Sequence, residues 1–333
     1  GSGGRTPPPF KRKPLFEALE QRLLLSTTIA GAIDTPGETD RYAFTVDAER
    51  RVYVDVQTNN SALNWSLTGP AGTVVASRTF TNSDGNDLSG NPLLTLVPGD
   101  YILSVDAAGD GTGAYRLDLL DRRDALSLTT GTMQTATLAP AASTTLYAFT
   151  AEAGQRFYFD SRGISSGSAG TWRLFDPNGG QLFWNGNTTD EDVIRLSMGG
   201  EYLLALEGRI SNSPTASATW SFNVQPVTDD TVALTLGTPV SGAIAHAGQV
   251  DRHTFTLTER KLVVFDSLAD TGLAWSLVGP TGTIVANRSF QASDSRDIGA
   301  GTALDLGPGN YAVVIDPSGE TTGAYAFALL DLG

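Results

Sequence analysis

LNWSLTGPAGTVVASRTF at residues 63–80 returns as LAWSLVGPTGTIVANRSF at residues 273–290, an offset of 210 positions. Each copy reads as a Trp-bearing strand, a Pro-Gly turn and a return strand. The same offset carries Asp84 to Asp294, Asp87 to Asp297, Tyr101 to Tyr311, and Gly113-Ala114-Tyr115 to Gly323-Ala324-Tyr325. A looser copy lies between them. The chain is therefore expected to be a tandem array of about three modules, each near the usual size of one domain.

Aligned on these repeats, the copies share one plan. Each opens with a short strand and a Gly turn, Ile29-Ala30-Gly31-Ala32-Ile33 or Val240-Ser241-Gly242-Ala243-Ile244. An alternating strand follows, in which Tyr42, Phe44 and Val46 take one face and Arg41 and Thr45 the other. Trp65, Trp172 and Trp275 sit on a later strand. That strand runs into Gly69-Pro70-Ala71-Gly72, Asp176-Pro177-Asn178-Gly179 or Gly279-Pro280-Thr281-Gly282. Pro early and Gly late set the backbone of a tight turn. A second turn precedes the strands beginning at Tyr101, Tyr202 and Tyr311. The fold class expected is all-β: three tandem antiparallel β-sandwich, jelly-roll-like domains at residues 27–123, 124–227 and 228–333. The middle copy is the diverged one.

The 333 residues contain no cysteine, which removes disulfides, thiol catalysis and Cys-ligated metals. The formal charge is −14 and is unevenly placed: residues 1–25 carry Arg5, Lys11, Arg12, Lys13 and Arg22 against Glu17 and Glu20, a local +3. The remainder is strongly acidic, which repels phosphate backbones and argues against nucleic acid. No run is long enough for a transmembrane helix. Gly1-Ser2-Gly3-Gly4 reads as a fragment edge and is set aside.

Residues 1–26 form a basic, Pro-rich leader. Leu15, Phe16, Leu19, Leu23 and Leu24 fall at helical spacing, so a short amphipathic helix is expected there.

Two resemblances carry the sequence further. Lys13-Pro14-Leu15-Phe16-Glu17-Ala18-Leu19-Glu20-Gln21-Arg22-Leu23-Leu24-Leu25-Ser26 resembles the LEPR-XLL segment of very long bacterial surface and adhesin-like proteins, with Gln21 where that motif has Pro. It implies export and the N-terminal end of a larger extracellular polypeptide. The modules resemble bacterial pre-peptidase C-terminal domains, in the order Asp-x-Tyr/His-x-Phe-Thr, Trp-x-Leu-x-x-Pro-x-Gly, Pro-Gly-x-Tyr-x-x-x-Val and Gly-x-Tyr-x-x-x-Leu. That family implies a non-catalytic sandwich of about eight strands, appended to secreted enzymes or surface proteins. Its members sometimes bind calcium, polysaccharide or matrix protein.

Candidate chemistry is sparse. His246 and His253 both lie in the last module, and His253 takes the place of Tyr42 on a packed face, so its expected role is structural. Gly163-Ile164-Ser165-Ser166-Gly167 has nucleophile-elbow spacing inside a Ser/Gly-rich loop and is read as coincidence. Asp84, Asp87, Asp294 and Asp297, with Asp190-Glu191-Asp192 near the matching place in the middle copy, are the candidate calcium ligands, because calcium takes oxygen donors from flexible acidic loops. Asp40 and Asp251 are expected to accept hydrogen bonds from a nearby turn or to pair with a local Arg. Phe183, Trp184, Asn185 and Asn187 are the candidate glycan surface, since an exposed ring stacks on a pyranose and amides hold its hydroxyls. The function expected is a non-catalytic stalk or adhesion region at the bacterial surface. The alternative is a glycan- or matrix-binding accessory region of a secreted hydrolase.

Overall fold

A computed structural model describes residues 26–84, 90–165, 167–293, 303–317 and 319–333. The leader and its expected helix lie outside these residues. The described part is almost wholly antiparallel strand, joined by tight turns and three short 3-10 turns.

The first strands are β1 (Thr27–Ile33), β2 (Thr39–Val46), β3 (Arg50–Val56), β4 (Leu63–Gly69), β5 (Gly72–Thr79), β6 (Leu93–Leu96), β7 (Gly99–Ala107) and β8 (Gly113–Asp121). They form two sheets ordered β1-β8-β3-β6 and β2-β7-β4-β5. This interleaving, in which the chain alternates between sheets and the outer pair of strands wraps the inner, is a jelly roll.

The next group is β9 (Leu126–Ser127), β10 (Gln134–Leu138), β11 (Thr144–Ala151), β12 (Arg156–Ile164), β13 (Gly170–Phe175), β14 (Gln181–Gly186), β15 (Glu191–Arg195), β16 (Gly200–Gly208) and β17 (Ala218–Val227). The last is β18 (Asp230–Ala233), β19 (Val240–Ile244), β20 (Asp251–Leu257), β21 (Lys261–Ser267), β22 (Ala274–Gly279), β23 (Gly282–Ser289), β24 (Leu304–Leu306), β25 (Gly309–Ile315) and β26 (Gly323–Asp331). Their sheets, β10-β17-β12-β15 with β14-β13-β16-β11-β9, and β19-β26-β21-β24 with β18-β20-β25-β22-β23, repeat the first order. Each adds one short parallel strand, β9 on β11 and β18 on β20, made from the residues that lead into the sandwich.

Alternation along most strands, with β3, β12, β13 and β16 buried on both faces over much of their length, supplies three separate apolar cores. Trp65, Trp172 and Trp275 are fully buried. Their indole N–H groups find partners, as buried donors must. Trp65 and Trp275 donate to Ser83 and Ser293 Oγ at 2.7 and 2.9 Å, and Trp172 donates to the Thr189 carbonyl at 3.2 Å. Tyr101, Tyr202 and Tyr311 each donate to a carbonyl four residues upstream, at 2.8 Å. These bonds pin the turn that opens β7, β16 and β25.

The two turn motifs lock together. Gly99, Gly200 and Gly309 hold φ of +147°, +143° and +154°. A Cβ on them would meet Pro70, Pro177 and Pro280 at 2.6, 3.0 and 2.3 Å. The Pro of one turn thus lies on the Gly of the other, which explains why both recur in every copy.

Gly31 and Gly242 correct an expectation. They stand inside β1 and β19, not at turns. Gly31 pairs across the sheet with Tyr115, and Gly242 with Tyr325. A Cβ there would come within 2.5 and 2.3 Å of the phenol oxygens, so the missing side chain makes room for a ring.

The described residues through Asp124 form one compact unit, and those from Ala125 onward form a second. The second unit contains both later cores, and its two sandwiches touch.

Candidate functional site

Of the acids read as calcium ligands, Asp84 ends the 3-10 turn Thr81–Ser83 and is 1% exposed. Asp87, Asp294 and Asp297 lie outside the described residues. Asp40 and Asp251 differ from expectation in their main partner. Each accepts from a tyrosine of the facing sheet, Tyr115 or Tyr325. Asp251 also takes the Gln249 amide of the preceding turn at 2.7 Å. The phenols receive a second group in turn, Tyr42 in the first sandwich and His253 in the third. Burial and the adjoining carboxylate push both phenols far above the ordinary tyrosine range.

The candidate glycan residues do not share a surface. Phe183 is 7% exposed and packs edge-on against Phe159 and Trp172, so it belongs to the core and not to a ligand face. Neighbouring residues of a strand point to opposite faces, and Trp184 is accordingly 41% exposed. The Arg173 guanidinium lies 5.6 Å from the centre of its ring. The amides are engaged internally. Asn185 donates to Glu191 at 2.7 Å, and Asn187 accepts from the Gly170 amide at 3.3 Å.

Trp220 stands where the outer sandwiches have Tyr115 and Tyr325. It pairs with Ala136 at the register where Tyr115 faces Gly31 and Tyr325 faces Gly242. Its indole donates to Ser161 Oγ at 3.0 Å, and Ser161 Oγ donates to the Asn187 carbonyl at 2.6 Å. The loop between β14 and β15 is thereby fastened to the core at Asn187 and, through Trp172, at Thr189.

That fastening fixes Asp190. Its Oδ2 accepts from Tyr158 and its Oδ1 from the Ser161 amide, each at 2.8 Å. Beside it stand Asp160 of β12 and Glu320 of the loop between β25 and β26. One carboxylate oxygen from each of the three lies within 4.8 Å of the others. Asp160 is 4% exposed. Burial, then Glu320, push its carboxyl up to about 6. Arg162 meets Asp160 at 2.9 Å and Glu320 at 2.7 Å. Two like charges about 4 Å apart repel by about 4 kcal/mol at the effective dielectric of a protein surface, so three carboxylates against one guanidinium form a strongly electronegative spot.

Further contacts close the same join. Arg156 pairs with Asp229, whose other oxygen accepts from the Val250 amide at 3.1 Å. Gly248 approaches so closely that a Cβ would meet Val193 at 2.5 Å. A cleft of about 540 Å³ opens beside it, lined by Arg156, Asp192, Ser276, Asn287 and Asp316 among others. Burial raises the Asp316 carboxyl above its ordinary range.

Sequence reasoning singled out Asp190 but missed Asp160 and Glu320. One signal was available: Asp55, Asp160 and Asp266 recur at the same place in β3, β12 and β21. For Glu320 there was none.

No family model matches the sequence, and no curated protein matches it. Among solved structures, the pre-peptidase C-terminal domain of a collagenase from Bacillus anthracis is similar to 33% of this chain and 99% of its own, at 22% identity and a TM-score of 0.24. The CUB1-EGF-CUB2 domain of human MASP-1/3 is similar over 59% of this chain and 99% of its own, at 9% identity and a TM-score of 0.19. Dimeric latent PorU from Porphyromonas gingivalis aligns with 90% of this chain and 33% of its own, at 12% identity and a TM-score of 0.14. No helix among the described residues is long and apolar enough to cross a membrane.

Proposed function

We propose that this chain is a non-catalytic extracellular array, a stalk or adhesion region within a large bacterial surface protein. The observation that carries the reading is the join between the second and third sandwiches. Two residues, Thr228 and Asp229, separate β17 from β18. Asp229 ties back to Arg156 and forward to Val250, while Gly248 sits on Val193, Val227 and Tyr158. A short linker whose own residues extend the next sheet holds two domains at a fixed distance, as a spacer requires. Among the described residues, Trp184 is the one exposed large aromatic side chain. His253 serves the Tyr325 bond, not proton transfer to a substrate.

A second reading, a glycan- or matrix-binding accessory region of a secreted hydrolase, is favoured by the exposed Trp184 stacked on Arg173. Retention of the full chain on immobilised glycans and matrix proteins separates the two. The spacer reading expects no retention, whereas the accessory reading expects retention that Trp184→Ala removes. Turnover of a hydrolase substrate that survives repurification would overturn both.

A further inference from the structure

Beyond the spacer role, the junction carries a cluster whose chemistry that role does not require. Asp160 is the central observation. It is more than nine-tenths buried, Arg162 reaches its Oδ2, and its Oδ1 is buried without a hydrogen-bond partner. Its carboxyl faces those of Asp190 and Glu320. A carboxylate oxygen shut away from water with no donor is costly unless it takes up a proton, which it can share with a neighbouring carboxylate, or a cation serves it.

We propose that Asp160, Asp190 and Glu320 bind a calcium ion that clasps the second sandwich to the third. The geometry suits calcium. Ca–O distances of about 2.3–2.6 Å place opposite ligands about 5 Å apart, and the three oxygens lie within 4.8 Å of one another. Magnesium, at about 2.0–2.1 Å, demands a tighter shell. The donors are all hard oxygens, and a calcium site is completed by carbonyls and water. Asp190 is held in place by Tyr158 and the Ser161 amide, so one wall is preset. Glu320 comes from the other sandwich, so binding joins the two. Arg162, about half-exposed, pairs with both Asp160 and Glu320, and the ion would have to displace it from these pairs. This site is separate from the acids at 84, 87, 294 and 297.

The test is calorimetric titration of calcium chloride into the chelator-treated full chain, beside Glu320→Gln and an Asp87→Asn/Asp297→Asn double variant. The expected result is calcium binding with a Kd of about 10⁻⁴–10⁻³ M, the range of extracellular sites. Glu320→Gln should weaken it about tenfold or more, while the double variant keeps it. Glu320 is exposed, so its variant should melt like the parent in chelator, which separates loss of the site from misfolding. Absence of calcium heat in the parent, or unchanged binding in Glu320→Gln, overturns the proposal. Equal affinity for magnesium overturns the choice of ion. The Arg156–Asp229 and Gly248 contacts do not involve the ion, so a negative result would leave the spacer reading standing.

Discussion

His253 Nε2 lies 2.8 Å from Tyr325 Oη, where the first sandwich places Tyr42 Oη 2.6 Å from Tyr115 Oη. Tyr325 has one proton and donates it to Asp251 at 2.5 Å. The imidazole must therefore donate from Nε2, which leaves Nδ1 buried and without a partner. The chain of donors runs His253 to Tyr325 to Asp251, as Tyr42 to Tyr115 to Asp40. A histidine here acts as a tyrosine.

This arrangement makes the third sandwich acid-sensitive. Burial holds the His253 pKa below its ordinary value, outweighing the opposite pull of Asp251 and Asp230. Above about pH 6.5 the imidazole is neutral folded or unfolded and costs nothing. Below it the unfolded chain takes a proton that the folded one refuses, so stability falls as pH drops from about 6.5 to the folded pKa. Hydrogen exchange of β20 peptides should quicken over that window in the parent and not in His253→Tyr. Proton NMR should show the His253 ring titrating below the ordinary value.

Trp65→Ala and Trp275→Ala should each cost their sandwich about 3–5 kcal/mol, the price of a large core deletion. Removing only the acceptor, by Ser83→Ala or Ser293→Ala, should cost about 1–3 kcal/mol by leaving the indole N–H unpaired. Urea denaturation measures both, and a cost within about 0.5 kcal/mol for either Ser variant would contradict the assigned bond.

Gly242→Ala should destabilise the third sandwich by about 1–3 kcal/mol, because the new methyl meets the Tyr325 phenol. Gly272→Ala, with nothing within 4 Å of the added carbon, is the control and should change stability by no more than about 0.5 kcal/mol. Equal effects in melting would show that the ring does not need the gap.

Trp184→Ala should leave folding nearly unchanged, since the ring is exposed and lies against the Arg173 guanidinium. Phe183→Ala, next to it, should cost about 3–5 kcal/mol. Thermal melting of the two variants distinguishes the outward ring from the inward one.

The fold class was legible because period-two alternation and Pro-Gly turns are local signals. The repeated Trp, Tyr and Gly-Pro positions then fixed the phase of each copy. Gly31 and Gly242 were misread as turns because their reason lies across the sheet, in a ring more than 80 residues away. Phe183 was grouped with Trp184 by chemistry, although strand alternation alone would have separated them. The equivalence of Trp220 with Tyr115 and Tyr325 is hidden in the sequence, because Trp replaces Tyr and bonds Ser161 instead of an Asp. Asp160, Asp190 and Glu320 come from two sandwiches, and their meeting depends on how those domains dock. No local pattern encodes that.

The spacer account stands on a stiff join between the second and third sandwiches. The chain has no cysteine, so Thr150→Cys and Thr258→Cys, both exposed, give one spin label on each of the two domains. Pulsed dipolar spectroscopy on the doubly labelled full chain measures their separation. The account predicts one narrow distance distribution that broadens when Gly248→Trp forces the join apart. A broad or multimodal distribution in the otherwise unaltered chain would contradict it.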